Sequence, residues 1–291
     1  MTARAAERHA PVGDVAGAVA RTAPSPSRAV RVRARLRRSV AISVGGVVLA
    51  AVVFVALLAP VLATHDPIAN SLVERIQPPS RAHFFGTDDF GRDVWSRVVW
   101  GARVSLVVAL IVVGIAALGG AGVGVFSGYF GGRFDLLTMR VVDMMLAFPA
   151  LLLALAVMAG LGSSLLNVIV AVAVAFLPRF ARLQRAVTLV VREREFVVAA
   201  VALGSTHWRI LTRHVMPNCL APALVMITVS AADAILVESS LSFLGLGVQP
   251  PAPTWGAVIS DGRSLLQNAP WISGLSGAAI MVTVLGLNLL G

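Results

Sequence analysis

The sequence consists of long apolar runs that alternate with shorter polar and charged segments. A helix needs roughly 20 apolar residues to cross the hydrocarbon core of a bilayer, which is about 30 Å thick. The first run, residues 40–63, contains no charged side chain and meets this requirement. Across the whole chain, the pattern predicts an all-α integral membrane protein with six transmembrane helices, at about residues 40–63, 104–126, 144–162, 165–180, 220–237 and 271–291.

Polar segments precede and interrupt the predicted helices. Residues 1–38 contain nine arginines and no apolar period, so we predict a disordered basic tail there. Residues 39–291 form the predicted transmembrane domain. Within it, residues 64–103 form a long loop with five arginines and five acidic residues, and residues 181–219 form a second loop that is strongly basic.

The charge distribution predicts the orientation of the chain. There are 24 basic residues, all of them arginine, against 14 acidic residues, and mean hydropathy is +0.86. Because cytoplasmic loops of membrane proteins carry the excess of arginine, we predict that the N-terminus and residues 181–219 are cytoplasmic and that residues 64–103 lie outside. The net charge of +10 does not indicate a nucleic-acid partner, since the arginines lie in the tail and in loops.

The basic loop, residues 181–219, has a helix–glycine–helix pattern. Seven arginines cluster in it and just before it. Residues 195–203 and 206–215 have helix-forming composition on either side of Gly204, which permits a sharp change of chain direction. Pro217 is predicted to end the second helix.

Ala199 and Ala200 lie in the first of these short helices. They predict a face of small residues that another protein can approach closely. A short, rigid element of this kind between two spans is suited to docking a partner on the cytoplasmic side.

The second predicted span ends in small residues at four-residue steps, Gly120, Gly124 and Gly128. Small residues at this spacing let two helices approach closely in lipid. The partner helix could belong to this chain or to another subunit, and the sequence leaves both alternatives open.

Two acidic residues lie in or beside the fifth predicted span, Asp233 and Glu238. An acid in lipid is costly, so both are expected to face protein or a water-filled cavity. One interpretation places them on a translocation path. The other pairs them with arginine or with backbone groups.

Four side chains of metal-binding type lie in the outer loop: His83, Asp88, Asp89 and Asp93. We favour a capped and hydrogen-bonded loop held by Arg92 and Arg97 over a metal site. The chain has no phosphate-binding loop and no serine nucleophile elbow, and its one cysteine, Cys219, has no companion. We therefore predict no catalytic residue, no resident metal and no cofactor in this chain.

Part of the basic loop matches a pattern of one transporter family, at Ala199, Ala200, Gly204 and Met216 with Pro217. In that pattern Glu-Ala-Ala precedes a glycine, and a Leu-Pro pair follows. Val198 stands where the family has glutamate. Glu195 matches the residue that precedes the pattern in one branch of the family.

Three further stretches carry the resemblance: FGTDDFGRD at residues 85–93, AFPALLLAL at 147–155 and SFLGLGVQPP at 242–251. Taken with the basic loop, they resemble the inner-membrane permease subunits of ATP-binding-cassette importers. The branch is the second-permease, or C-type, subunit of dipeptide, oligopeptide and nickel importers. The resemblance covers about residues 38–291. Members of the family continue past Asn-Leu-Leu-Gly with a short charged tail, and the sequence given ends at Gly291.

The resemblance implies the type I importer permease fold, with six transmembrane helices and a cytoplasmic coupling loop of Glu-Ala-Ala type, in the bacterial inner membrane. It implies half of a translocation path for dipeptides or oligopeptides, with nickel or another small solute as the alternative. The implied partners are a second homologous permease, two ATPase subunits that bind ATP and magnesium, an extracytoplasmic solute-binding protein and membrane lipid. Nucleic acid is not among them.

The resemblance also implies roles for individual residues. The residues expected to couple the chain to the ATPases are Glu195, Ala199, Ala200, Gly204 and Pro217. The outer signature consists of Gly86, Thr87, Asp88, Gly91, Arg92 and Asp93. Two other classes of function remain as alternatives, a membrane scaffold that moves no solute and an autonomous carrier that uses Asp233 and Glu238.

Overall fold

The computed structural model describes the backbone of residues 28–291 and the side chains of residues 40–291. The first 27 residues of the predicted tail lie outside this range. Within it, the backbone is helical from Arg28, so the first helix begins well before the predicted first span. Residues 28–38, which we predicted to belong to a disordered tail, are therefore helical.

The described residues form eleven α-helices, with one isolated bridge between Thr87 and Asp93 and no longer strand. The helices are α1 (Arg28–Leu57), α2 (Ala59–Leu62), α3 (Val94–Phe130), α4 (Gly132–Leu146), α5 (Ala150–Leu161), α6 (Leu165–Val191), α7 (Glu195–Ala202), α8 (His207–Ile210), α9 (Met216–Phe243), α10 (Trp255–Gly262) and α11 (Pro270–Leu290). Short 3₁₀ turns lie at Leu72–Glu74 and Arg263–Leu265, and a π-helical turn lies at Leu211–Val215.

The described residues contain five helices that are long and apolar enough to cross a membrane. A sixth span is obtained when α4 and α5, which are bent by 96° at their junction, are counted as one broken span. The predicted all-α fold with six spans is confirmed in this sense. The predicted span at residues 144–162 corresponds to the end of α4 and to α5. The helix breaks before Pro149, which lacks an N–H and disfavours helical backbone in the residue before it.

Helices α3 and α6 extend well beyond the spans that the hydrophobic pattern predicts. Helix α3 extends through 37 residues, beyond both ends of the predicted span at 104–126. Helix α6 continues to Val191, although Pro178 lies inside it. Its extension carries two arginines that pair with α4: Arg182 contacts Asp143, and Arg185 makes two hydrogen bonds to Asp135, of 2.5 and 2.6 Å. These ion pairs balance the positive charges of the arginines. We had predicted a loop from residue 181 because of those charges.

The α3–α6 seam holds the centre of the bundle together. Gly120, Gly124 and Gly128 all lie against α6 in the same chain. A Cβ added to Gly120 would lie 2.5 Å from the carbonyl oxygen of Leu177, and one added to Gly128 would lie 2.9 Å from that of Arg185. The glycine spacing therefore serves packing within the chain, which decides between the two alternatives.

The predicted stop at Pro217 is wrong. From His207 the chain passes through the π-helical turn Leu211–Val215 and continues without interruption as α9. Pro217 lies in the first turn of α9, where a missing N–H costs least. The π-helical turn shifts the hydrogen-bond register directly before it, which lets the helix run past the proline.

The two ends of the bundle differ in structure. At the signature end (residues 64–93 and 244–269), long connections fold over the helix ends. Trp255 of α10 is buried there, and its Nε1 donates a 3.0 Å hydrogen bond to the carbonyl oxygen of Val98 in α3. At the short-helix end (residues 128–135 and 191–210), α7 and α8 lie between the spanning helices α6 and α9.

Candidate functional site

Helix α7 is anchored to the short-helix end through one apolar face. Val197 and Ala200 are buried in a small core with Ile210 and Val215. The expected small-residue face is therefore only half correct. Ala199 is exposed, whereas Ala200 packs against the chain's own core.

Several apolar side chains of α7 and of the residues that follow it are exposed. We call this region the coupling surface and define it as Phe196, Val198, Val201, Leu203 and Trp208. Leu203 is 86% exposed and Trp208 is 66% exposed. A clustered apolar surface between two spanning helices is typical of a protein-binding site. Val198, which replaces the glutamate of the family pattern, lies on this surface.

Gly204 ends α7 with a left-handed turn, at a φ of +75°. The N–H of Gly204 bonds to the carbonyl of Val201, and the N–H of Ser205 bonds to that of Ala200, with lengths of 2.9 and 3.0 Å. This pair of bonds is the Schellman motif, which satisfies the last carbonyls of a helix and favours glycine at this position. A Cβ on Gly204 would meet no atom within 4 Å, so the requirement for glycine comes from the backbone and not from crowding within the chain.

Polar contacts connect α8 and the end of α6 to α3. Arg192 donates a 2.8 Å hydrogen bond to the carbonyl oxygen of Gly128 at the end of α3. The Tyr129 hydroxyl lies 2.9 Å from His207 Nδ1 at the start of α8. Movement of α8 would therefore act on α3 as well as on α9.

Glu195 lies at the start of α7 and Pro217 lies after α8. Within the part of the chain that the structure describes, no hydrogen bond joins their side chains. Glu195 is exposed in the first turn of α7, where the helix dipole favours an acid. It lines an open cavity of about 740 Å³ together with Phe196 and Asn218. Pro217 is exposed one residue before Asn218.

The outer signature is built around a network of four charges, three of which are buried. Asp88 Oδ2 accepts a 2.7 Å hydrogen bond from Arg92 Nε and a second bond from Arg97 Nη1. The two arginines also donate to Asp261 Oδ2 in α10, at 2.8 and 2.9 Å. This network fastens α10 to the start of α3.

The other signature residues fold the loop. Asp93 caps α3 by accepting the N–H of Ser96, and Thr87 is buried and bonds to the backbone of Gln77. Gly91 has a φ of +72°, and its Cα lies so close to the carbonyl of Ser71 that a Cβ could not be accommodated. Gly86 is packed against Trp271. The prediction of a capped loop held by Arg92 and Arg97 agrees with these contacts.

Burial by itself raises the pKa of the Asp93 carboxyl. Hydrogen bonds from the side chain and backbone of Ser96, together with His83 and the nearby charge of His65, outweigh this effect. The pKa of Asp93 is therefore lower than its usual value, so the cap is a carboxylate at neutral pH.

Two family models match the chain. Residues 120–291, more than half of the chain, match the model described as binding-protein-dependent transport system inner membrane component. Residues 27–79 match the model described as the N-terminal TM domain of oligopeptide transport permease C. The chain belongs to this permease family. The predicted resemblance and the type I importer permease fold are thereby confirmed.

Similar proteins share most of the permease's length. A protein of Brucella suis (strain 1330), named for a peptide transport system permease, is 46% identical over 88% of this chain and 86% of its own. The dipeptide transport system permease protein of Alkalihalophilus pseudofirmus is 42% identical over 88% and 84%. The glutathione transport system permease protein of Pectobacterium atrosepticum is 39% identical over 88% and 85%. The chain is thus a multi-pass membrane subunit of an importer.

The two acids predicted for the permease's path have different surroundings. Asp233 of α9 accepts a 2.6 Å hydrogen bond from Arg179 Nη1 of α6, and both side chains are about half-exposed. Glu238 is buried, and its Oε1 accepts a 2.8 Å hydrogen bond from Ser242. Glu238 therefore packs inside the subunit and does not line an open path in this structure.

Sequence reasoning missed Asp261 and Trp255 of α10. Both contact α3, and Asp261 lies 169 residues from its partner Arg92. The available signal was that Asp261 is one of only two charged residues in an otherwise uncharged stretch, the other being Arg263.

Proposed function

We propose that this permease forms half of the translocation path of an ATP-driven importer for short peptides. The names of the similar proteins, which refer to peptides, dipeptides and glutathione, support this substrate class. The proposed partners are a second permease, two ATPase subunits and an extracytoplasmic binding protein. In this proposal, ATP hydrolysis belongs to the ATPase subunits and the permease itself is not an enzyme.

We further propose that the N-terminus and the short-helix end are cytoplasmic and that the signature end faces outside. Four spans, α1, α3, the bent pair α4–α5 and α6, precede the coupling surface, so it lies on the same side as the N-terminus. The arginines of residues 179–213 support the cytoplasmic side for both.

The coupling surface is the observation that carries the proposal. Its apolar side chains are exposed although α7 has already filled its own core with Val197 and Ala200. A docked ATPase would bury this surface and push on α7. The contacts of Arg192 and His207 with the end of α3 would pass that movement to the spanning helices. Two arrangements of these helices, biased by nucleotide on the partner, would give alternating access.

We predict that Leu203→Asp prevents coupling to the ATPases. Leu203 is 86% exposed, so the change costs little within the chain, but it places a charge without a partner in the proposed interface. Co-purification of the ATPase subunits and uptake of a labelled dipeptide in a strain that lacks the native permease should both be lost. The membrane level of the permease should be unchanged. Normal uptake by this variant would contradict the proposal.

Variants of Gly204 test the turn separately from the surface. Gly204→Leu opposes the left-handed backbone at a cost of about 1–2 kcal/mol, whereas asparagine tolerates that conformation. We expect Gly204→Leu to lower uptake and peptide-stimulated ATPase activity, and Gly204→Asn to retain both. Equal activity of the two variants would show that the turn has no role in coupling.

We also propose that Asp233 contributes a charge to the path, where Arg179 balances it. The pair is half-exposed, so Asp233→Asn should change the free energy of unfolding by less than about 1 kcal/mol. Dipeptide uptake should nevertheless fall, and the exchanged pair Arg179→Asp with Asp233→Arg should recover part of it. Full uptake by Asp233→Asn would remove this residue from the path.

A further inference from the structure

Three side chains of metal-binding type converge at the signature end, from three separate segments of the chain. His65 follows α2, His83 lies in the outer loop and Asp93 precedes α3. Each offers one ligand atom, and these atoms lie within 4.8 Å of one another. His83 Nδ1 lies 2.9 Å from Asp93 Oδ1, and His65 Nδ1 lies 3.8 Å from the same oxygen.

The surroundings orient two of the three groups, Asp93 and His83. Asp93 Oδ2 is engaged by the N–H and hydroxyl of Ser96, at 2.8 and 2.7 Å, which leaves Oδ1 facing the two imidazoles. His83 Nε2, the ring nitrogen that points away from Asp93, lies 3.9 Å from a carboxylate oxygen of Glu74. A histidine that binds a metal through one nitrogen commonly has a carboxylate near the other, which fixes the tautomer.

The two distances from Asp93 to the histidines are close to those of a tetrahedral site. Zinc binds nitrogen and oxygen at about 2.0–2.2 Å, so two ligands of a tetrahedral ion lie roughly 3.3 Å apart. The distances from Asp93 to His83 and His65 bracket this value, and shifts of about half an ångström would equalise them. The His65 side chain is 43% exposed, so an ion and a water molecule as fourth ligand can reach the site from solvent.

We propose that His65, His83 and Asp93 bind one divalent transition-metal ion of the zinc type. Imidazole nitrogen with a single carboxylate oxygen suits such an ion better than it suits magnesium or calcium. The bound ion would fasten the end of the first span and the outer loop to the start of α3. It would be a structural ion, distinct from any solute that passes through the importer.

The test uses the importer purified with its partner subunits in lipid nanodiscs and stripped with a chelator. Zn²⁺ should bind at one equivalent per permease chain and raise the unfolding temperature. Co²⁺ in its place should give the intense visible absorption of a tetrahedral site. His65→Ala should weaken Zn²⁺ binding by at least about tenfold, and His83→Ala should do the same.

Two further variants distinguish a metal site from a hydrogen-bonded cluster. His214→Ala removes a histidine beside Phe196, in the π-helical turn Leu211–Val215, and should bind Zn²⁺ like wild type. Glu74→Gln keeps the size and shape of the side chain but removes the charge near His83. It should weaken Zn²⁺ binding by about tenfold. Equal Zn²⁺ binding by wild type and His65→Ala, or no binding by wild type, would overturn the proposal. Because His65 is exposed, replacing it should not disturb folding. Retained assembly with the partner subunits would verify that the variant is folded.

Discussion

Replacing Asp88 with alanine will lower the free energy of unfolding of the permease by about 3–5 kcal/mol. Asp88 is fully buried, and its carboxylate is the main counter-charge for Arg92 and Arg97, which are themselves buried. Without it, two guanidinium groups share Asp261 alone. Removing one partner from a buried network leaves uncompensated charge, which is more costly than losing the attraction itself.

The neighbouring residue provides the control for this prediction. Asp89 pairs with Arg75, and both side chains are more than 40% exposed. Asp89→Ala should therefore change the free energy of unfolding by no more than about 1 kcal/mol. Both variants would be measured by denaturation with sodium dodecyl sulfate in mixed micelles, and hydrogen exchange in α10 should increase in Asp88→Ala alone. Equal effects of the two substitutions would contradict a special role for the buried network.

The spans could be predicted because lipid imposes a simple rule on the sequence. A backbone in hydrocarbon must satisfy its own hydrogen bonds, and only long apolar helices do so without partners. The ends of the helices could not be predicted in the same way. Arg182 and Arg185 look like loop residues until Asp143 and Asp135 of α4 are seen to pair with them. Such pairs depend on tertiary contacts that no local pattern encodes.

Helix α7 and the turn at Gly204 were predicted in part for a similar reason. Gly204 was identified correctly as the turn, since few other residues accept a φ of +75°. Ala199 and Ala200 are chemically identical, so composition could not tell which faces the core. The answer depends on the position of Ile210 and Val215, which pack against Ala200.

The outer signature shows how a motif can be recognised before its role is understood. Its residues were grouped by resemblance, yet the sequence did not reveal that Asp88 and Arg92 act through Asp261 in α10. The network closes only when the outer loop meets α10. The residues of such a motif are needed for contacts in the folded protein. Some of their partners lie far away in the sequence.

The second large effect is expected at the α3–α6 seam, where Gly124→Ala will destabilise the permease by about 1–3 kcal/mol. A Cβ at Gly124 would overlap the carbonyl oxygen of Ala181 and would lie 2.9 Å from the backbone nitrogen of Arg185. Both obstacles are backbone atoms, so no side-chain rotation relieves the overlap and the two helices must separate. Separation would also strain the ion pair between Arg185 and Asp135, which joins α6 to α4.

Gly122 lies about half a turn from Gly124 in α3. Gly122→Ala is therefore the matched control for this prediction. A Cβ there would meet no atom within 4 Å. Alanine is favoured over glycine in a helix by about 0.5–1 kcal/mol, so Gly122→Ala should be neutral or slightly stabilising. In the same micelles, Gly124→Ala should therefore lower the free energy of unfolding, whereas Gly122→Ala should leave it unchanged or raise it slightly. If Gly124→Ala were also stabilising, close approach of α3 and α6 could not be the reason for the glycine spacing. A loss of stability in Gly124→Ala alone would instead establish that these glycines hold α3 and α6 together.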